Sequence, residues 1–173
     1  VKGYGATSVG AFGTSNDSVC YMVLPRITSG KLEFSNIITE FKGKKHNIIG
    51  NKILNSYKVS IDWDTKRIFL TQVKQAEKDS LKSFGFSPIM KDNKLFVGFV
   101  FENSQASNSG LKVGDQIISI NEVDYSNISA EQYCELLMDN IKGSGPVTIH
   151  LRWKDSNGEP KKNSFERINL FAN

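Results

Sequence analysis

Two cysteines and two histidines are the residues of this chain best suited to nucleophilic chemistry: Cys20, Cys134, His46 and His150. A thiol becomes a nucleophile when a neighbouring imidazole takes its proton, so Cys20 with His46, or Cys134 with His150, would be the pairs to make. Their settings argue against it. Cys20 and His150 fall inside apolar-alternating segments and Cys134 on a helix face, where packing roles are expected. His46 stands beside Lys44 and Lys45 as a turn residue. Two cysteines so far apart supply neither a disulfide framework nor a zinc site. No glycine-rich loop ends in Lys-Ser/Thr, and no cluster has metal-ligand spacing. The residues therefore predict no catalytic group, no metal and no cofactor.

The positioning elements are more informative. Gly114-Asp115 turns the backbone into a strand in which Ile118 and Ile120 alternate with Ile117, Ser119 and Asn121, the pattern of a half-buried strand. Upstream, Ser83-Phe84-Gly85-Phe86 precedes another apolar run. Downstream, Ser129 to Ile141 reads as an amphipathic helix, with Ser129 and Gln132 spaced as a capping box and Tyr133, Leu136, Leu137 and Ile141 as its apolar stripe. In this order the three pieces resemble a PDZ domain. That family adds the C-terminal tail of another protein as a strand to a sheet edge. The resemblance implies that the N–H groups of Phe84, Gly85 and Phe86 hold the terminal carboxylate, and that Phe84, Phe86 and Leu137 wall a pocket for the last ligand side chain. It places Ala130 and Cys134 on the groove face of the helix. Ala130 cannot hydrogen-bond a ligand hydroxyl, so an apolar or indifferent ligand position is implied there. Pro88 departs from the pattern, because its missing N–H removes a donor from the edge strand.

Ahead of this region, turn chemistry cuts the chain into short strands. Val19 to Leu24 is one, closed by Pro25; Leu32 to Phe41 is one or two more, with Ile37, Ile38 and Phe41 as core candidates. Asn51 to Tyr57 reads as a short helix. Tyr57 to Trp63 and Arg67 to Leu70, joined by Asp64-Thr65-Lys66, form a hairpin. The string Asn47-Ile48-Ile49-Gly50, running into Asn51-Lys52-Ile53-Leu54, is similar to the second signature of retroviral-type aspartic peptidases. Gly3-Tyr4-Gly5-Ala6 and Gly10-Ala11-Phe12-Gly13 resemble the glycine-rich flap of that family. The best overall likeness is to bacterial retropepsin-like aspartyl proteases with a C-terminal PDZ domain. That family's Asp-Thr/Ser-Gly is missing: Asp17-Ser18-Val19, Asp64-Thr65-Lys66, Asp79-Ser80-Leu81 and Asp155-Ser156-Asn157 all lack Gly in third place. The resemblance puts the motif before Val1, and implies a chain that is inactive alone, with a periplasmic or cell-envelope home.

The fold class expected is mainly β with small helices: a partial retropepsin-like β domain over 1–71, then a PDZ-like partial barrel with two helices over 72–173. At 23% charged and 39% hydrophobic residues the composition is that of a globular chain and not a disordered one. The net charge of +4 is concentrated only at Lys42 to Lys45, too little for a nucleic-acid surface. No apolar run approaches a membrane span. The chain begins with Val1, so it is read as a piece of a longer protein. The partners expected are an extended polypeptide or protein C-terminus, together with the missing peptidase half or a second copy; the exposed edge of the front strands is expected to be covered by pairing in a dimer or by contacts with the PDZ-like region.

Overall fold

A period of two, apolar against polar, shapes most of the chain. The structure, a computed structural model, describes all residues except 11–12, 31, 44–47, 49, 75–79, 143–144 and 172–173. It is mainly β with short helices, as expected. The strands of the front region are β1 (Lys2–Gly10), β2 (Gly13–Ser29), β3 (Leu32–Phe41), β4 (Tyr57–Asp62) and β5 (Arg67–Gln72), with helix α1 (Asn51–Leu54). Then come β6 (Lys82–Ser83), β7 (Phe86–Lys91), β8 (Lys94–Phe101), α2 (Gln105–Asn108), β9 (Gln116–Ile120), β10 (Val123–Asp124) and α3 (Ala130–Glu135). A π-helical stretch, Leu136–Lys142, continues α3, and β11 (Thr148–Lys154), β12 (Pro160–Glu166) and β13 (Ile168–Asn169) follow. The sequence divides the chain at 71/72. Packing groups it as two compact units, Val1–Gly43 with Ser80–Asn173, and Lys44–Asp79.

In the larger unit one sheet runs β12-β11-β9-β8-β1-β2-β3, with β7 on the other edge of β8. Strand β11 shows how alternation builds it: Ile149, Leu151 and Trp153 are buried, while Thr148, His150, Arg152 and Lys154 are exposed. The buried set joins Phe84, Phe86, Leu95, Ile117, Ile120, Leu136 and Phe165 in the main core. His150 is thus on the solvent side and not in the packing role expected of it; its Nδ1 lies 2.7 Å from Ser164 Oγ on β12. Cys20 is half-buried, Cys134 is exposed, and both are free thiols.

The front strands join the sheet through a close approach. Gly3, Tyr4 and Gly5 of β1 pair with Phe101, Val100 and Phe99 of β8. A Cβ at Gly3 would collide with the Phe99 ring, and one at Gly5 with the carbonyl of Gly98, so only glycine lets the strands meet here. Phe99, Phe101 and Val19 form a second small core on this face, with Tyr21, Leu81 and Leu170 against it. The Phe99 and Phe101 rings pack edge to face, 5.0 Å between centroids.

Several front-strand expectations change. Pro25 does not close its strand: β2 continues through it to Ser29, paired with β3 from Cys20↔Phe41 to Ser29↔Leu32. Val1 and strand β1 cover β2 from Gly13 to Tyr21, so beyond that β2 is an edge, and an edge tolerates a residue with no N–H. Leu32 to Phe41 is one strand, in which Phe34 is buried, Ile37 and Ile38 are half-buried, and Phe41 is exposed. Phe41 therefore leaves the core. The glycine-rich segment brings Gly10 opposite Gly13 in the β1–β2 pair; Ala11 and Phe12 lie outside the described residues.

The smaller unit holds α1 and the expected β4–β5 hairpin, whose register runs from Tyr57↔Gln72 to Asp62↔Arg67. The Asp62 carboxylate caps its turn, accepting from the N–H groups of Asp64 (3.0 Å) and Thr65 (3.1 Å) and from the Thr65 hydroxyl (2.6 Å). Trp63 stands in that turn, exposed, and Val59, Ile61, Ile68 and Phe69 are also exposed. Asn47 and Ile49 of the peptidase-like string, Lys44 and Lys45 of the basic cluster, and His46 lie outside the described residues.

Candidate peptide-binding site

The loop before β7 is held in shape by its own residues. Gly85 takes φ +91°, and a Cβ there would sit 2.6 Å from Ser104 Oγ. Its carbonyl accepts from the Phe101 N–H at 2.9 Å and from Ser104 Oγ at 3.3 Å. Its N–H donates to the hydroxyl of buried Ser83 at 3.0 Å. One of the three N–H groups that the resemblance assigns to a carboxylate is therefore engaged within the chain.

The Phe101-to-Gly85 bond also fixes which way β7 faces. Phe86 pairs with Val100, and a bond from the residue after Val100 to the residue before Phe86 makes this a pair whose own N–H and C=O point away from the partner strand. The Phe86 backbone thus faces the open edge of β7. A bulge between Ser87 and Pro88 skips Gly98, which permits it by having no Cβ to strike Ile89. Pro88 again faces the open edge, with no N–H to offer, and its carbonyl accepts from the Tyr133 hydroxyl at 3.2 Å.

Across that edge lies α3, opened by the predicted capping box: Gln132 N–H to Ser129 Oγ at 3.2 Å, and Ser129 N–H to Gln132 Oε1 at 2.9 Å. Tyr133, Leu137 and Ile141 point from this helix and its π-helical continuation into a cleft of about 410 Å³. Phe86, Pro88 and Ile89 line it from β7. Its far wall belongs to the front strands: Ala6, Thr7, Tyr21 and Glu40. There Tyr21 Oη donates to Glu40 Oε2 at 2.8 Å, and Lys42 Nζ bridges Glu40 and the Thr7 carbonyl, the latter at 3.1 Å. Burial, then the hydrogen bond and charge of Glu40, push the Tyr21 phenol far above its ordinary pKa, so it stays a donor.

Of the six residues assigned to peptide binding, Phe86 and Leu137 line this cleft. Phe84 is buried in the main core beneath the Arg167 guanidinium, 4.9 Å from its ring centre, and is not among the lining residues. Gly85 contributes backbone only. Ala130 and Cys134 are exposed on α3, and neither lines the cleft. Tyr133, Ile141 and the front-strand wall were missed. Tyr133 and Ile141 already stood in the apolar stripe of the helix, which was the signal for them.

Comparison with known proteins bears on this region. Residues 72–152 match the PDZ domain. Mouse tight junction protein 1 is 39% identical over 64 residues, and the rat tight junction protein ZO-1 gives the same figures; the match covers 37% of this chain but 4% of either relative. Chicken PDZ domain-containing protein 11 is 32% identical over 59 residues, 34% of this chain and 39% of that protein. These relatives are vertebrate proteins and none is named as a peptidase. The loop before β7, the open β7 edge, the capped helix opposite it and the match over 72–152 agree: this chain carries a PDZ domain.

Proposed function

We propose that the cleft between β7 and α3 binds the C-terminal tail of another polypeptide, ending in an apolar residue. The observation that carries this is the Phe86 edge: its backbone N–H and C=O face a cleft whose apolar lining, Phe86, Leu137 and Ile141, suits one aliphatic or aromatic side chain. The N–H groups of Phe84 and Phe86, and that of Gly85 once Ser83 gives way, receive the carboxylate. Affinity is expected to be micromolar, about −8 kcal/mol, since the surface is small and the ladder short. Fluorescence titration of a C-terminal peptide library tests the reading: free-acid peptides ending in Val, Leu, Ile or Phe should bind, and amidation should abolish binding. Equal binding of amidated peptides would show that the cleft is not a tail receptor.

A second reading concerns the protein to which this module belongs. The glycine hairpin β1–β2, then α1 and the β4–β5 hairpin, follow the order found in one half of a retropepsin-like aspartic peptidase, bacterial ones above all. In that reading the domain presents substrate to the peptidase or docks on it, and the catalytic Asp-Thr/Ser-Gly lies elsewhere in the protein. Exposed Val59, Ile61 and Ile68 are the surface that a second peptidase half covers. The rival is an adaptor whose only activity is tail binding. Sequencing of the natural protein separates them through the presence or absence of that motif. The isolated chain should cleave nothing, and pepstatin-sensitive cleavage by it would refute this.

A further inference from the structure

We infer that Tyr133 is a specificity-determining residue that seals the β7 edge at Pro88 and confines a bound tail to its terminal residues. The inference rests on the tail-binding reading above. An added strand exchanges hydrogen bonds with every second residue of the edge it joins. On β7 the outward residues are Phe86, Pro88 and, past the bulge, Met90. At Pro88 both groups are lost: proline has no N–H, and the carbonyl already holds the Tyr133 hydroxyl at 3.2 Å. The same hydroxyl sits by the Met90 N–H, which offsets part of the rise that burial imposes on the Tyr133 phenol. One side chain therefore occupies the one ligand-facing polar group that Pro88 retains. Tyr133 comes from the first helical turns, which the capping box of Ser129 and Gln132 anchors, so the phenol is held over the strand. Only the Phe86 edge remains for a ligand, which matches a tail recognised by its carboxylate, its last side chain and little more.

Isothermal titration of the whole chain with acetylated tripeptides and heptapeptides that share an apolar C-terminal residue tests this. The two lengths should bind the unaltered protein within about twofold of each other. Tyr133→Phe releases the Pro88 carbonyl and should strengthen heptapeptide binding about fivefold, the value of one net hydrogen bond. Adding Pro88→Ala restores the donor and should raise the gain to roughly thirtyfold, well beyond any change in tripeptide binding. Should the double variant not fold, the single Tyr133→Phe comparison carries the test. Heptapeptides that bind the unaltered protein much more tightly than tripeptides would overturn the seal while leaving the tail receptor standing. No binding by any peptide to any of these proteins would overturn the tail receptor, and the seal with it.

Discussion

Replacing Ser83 with alanine should move stability and affinity in opposite directions. Ser83 Oγ accepts the Gly85 N–H at 3.0 Å inside the protein. With the hydroxyl gone, the unliganded chain keeps a buried donor without a partner, at a cost of about 1–3 kcal/mol. In a chain of this size each kcal/mol lowers the melting temperature by roughly 2–4 °C. A bound carboxylate would supply the missing acceptor. In the natural chain it must first displace Ser83, so one bond replaces another; in Ser83→Ala it gains a charge-assisted bond outright, about 1.5 kcal/mol or roughly tenfold in Kd. Thermal melts and calorimetric titration with a free-acid heptapeptide and its amide read both effects. The variant should melt lower alone, bind the free acid more tightly, and gain nothing with the amide. A lowered melting temperature with unchanged affinity would refute the reasoning, since Gly85 would then be no carboxylate donor.

Gly5→Ala should destabilise the larger unit by several kcal/mol, because its Cβ meets the backbone of Gly98 and Phe99 and its φ of +141° suits glycine; denaturant unfolding measures the loss. Buried Asp115 accepts the Lys112 N–H at 2.9 Å, yet burial dominates and raises its carboxyl pKa. The folded state then holds a proton that the unfolded chain has released, so this group's contribution to stability falls as pH rises above the ordinary carboxylate value of about 3.9. Asp115→Asn should flatten that slope in melts followed from about pH 3.5 to 6.5.

What could be read from the sequence depended on how local the cause was. The Ser129–Gln132 capping box and the turn between β4 and β5 are written within a few residues, and both hold; the alternation in β9 does not, since Ile117, Ser119 and Ile120 are all buried and the pairing with β11 skips Ile118. The faces of α3 were harder. The family pattern turns Ala130 and Cys134 toward the groove, yet both are exposed on the regular α-helical turns, and the side chains that reach the cleft are Tyr133, Leu137 and Ile141. The reach of β1 was not legible. Gly3 and Gly5 look like a flap in a local reading, yet what requires them is Phe99 and Gly98, far along the chain. Pro25 misled for a similar reason, since its tolerance depends on which flank of β2 lacks a neighbour.

Nitrogen-15 chemical-shift mapping with a free-acid heptapeptide ending in valine tests the cleft most directly. Saturable shifts should appear at Phe84, Gly85, Phe86 and Ser87 and, from Tyr133 to Ile141, along α3 and its π-helical continuation. Leu137→Lys, which places a charge in the apolar end of the cleft, should remove them while the rest of the spectrum stays folded. Shifts confined to β2 and β3, or binding that survives Leu137→Lys unchanged, would contradict the assignment of the cleft as the tail-binding site.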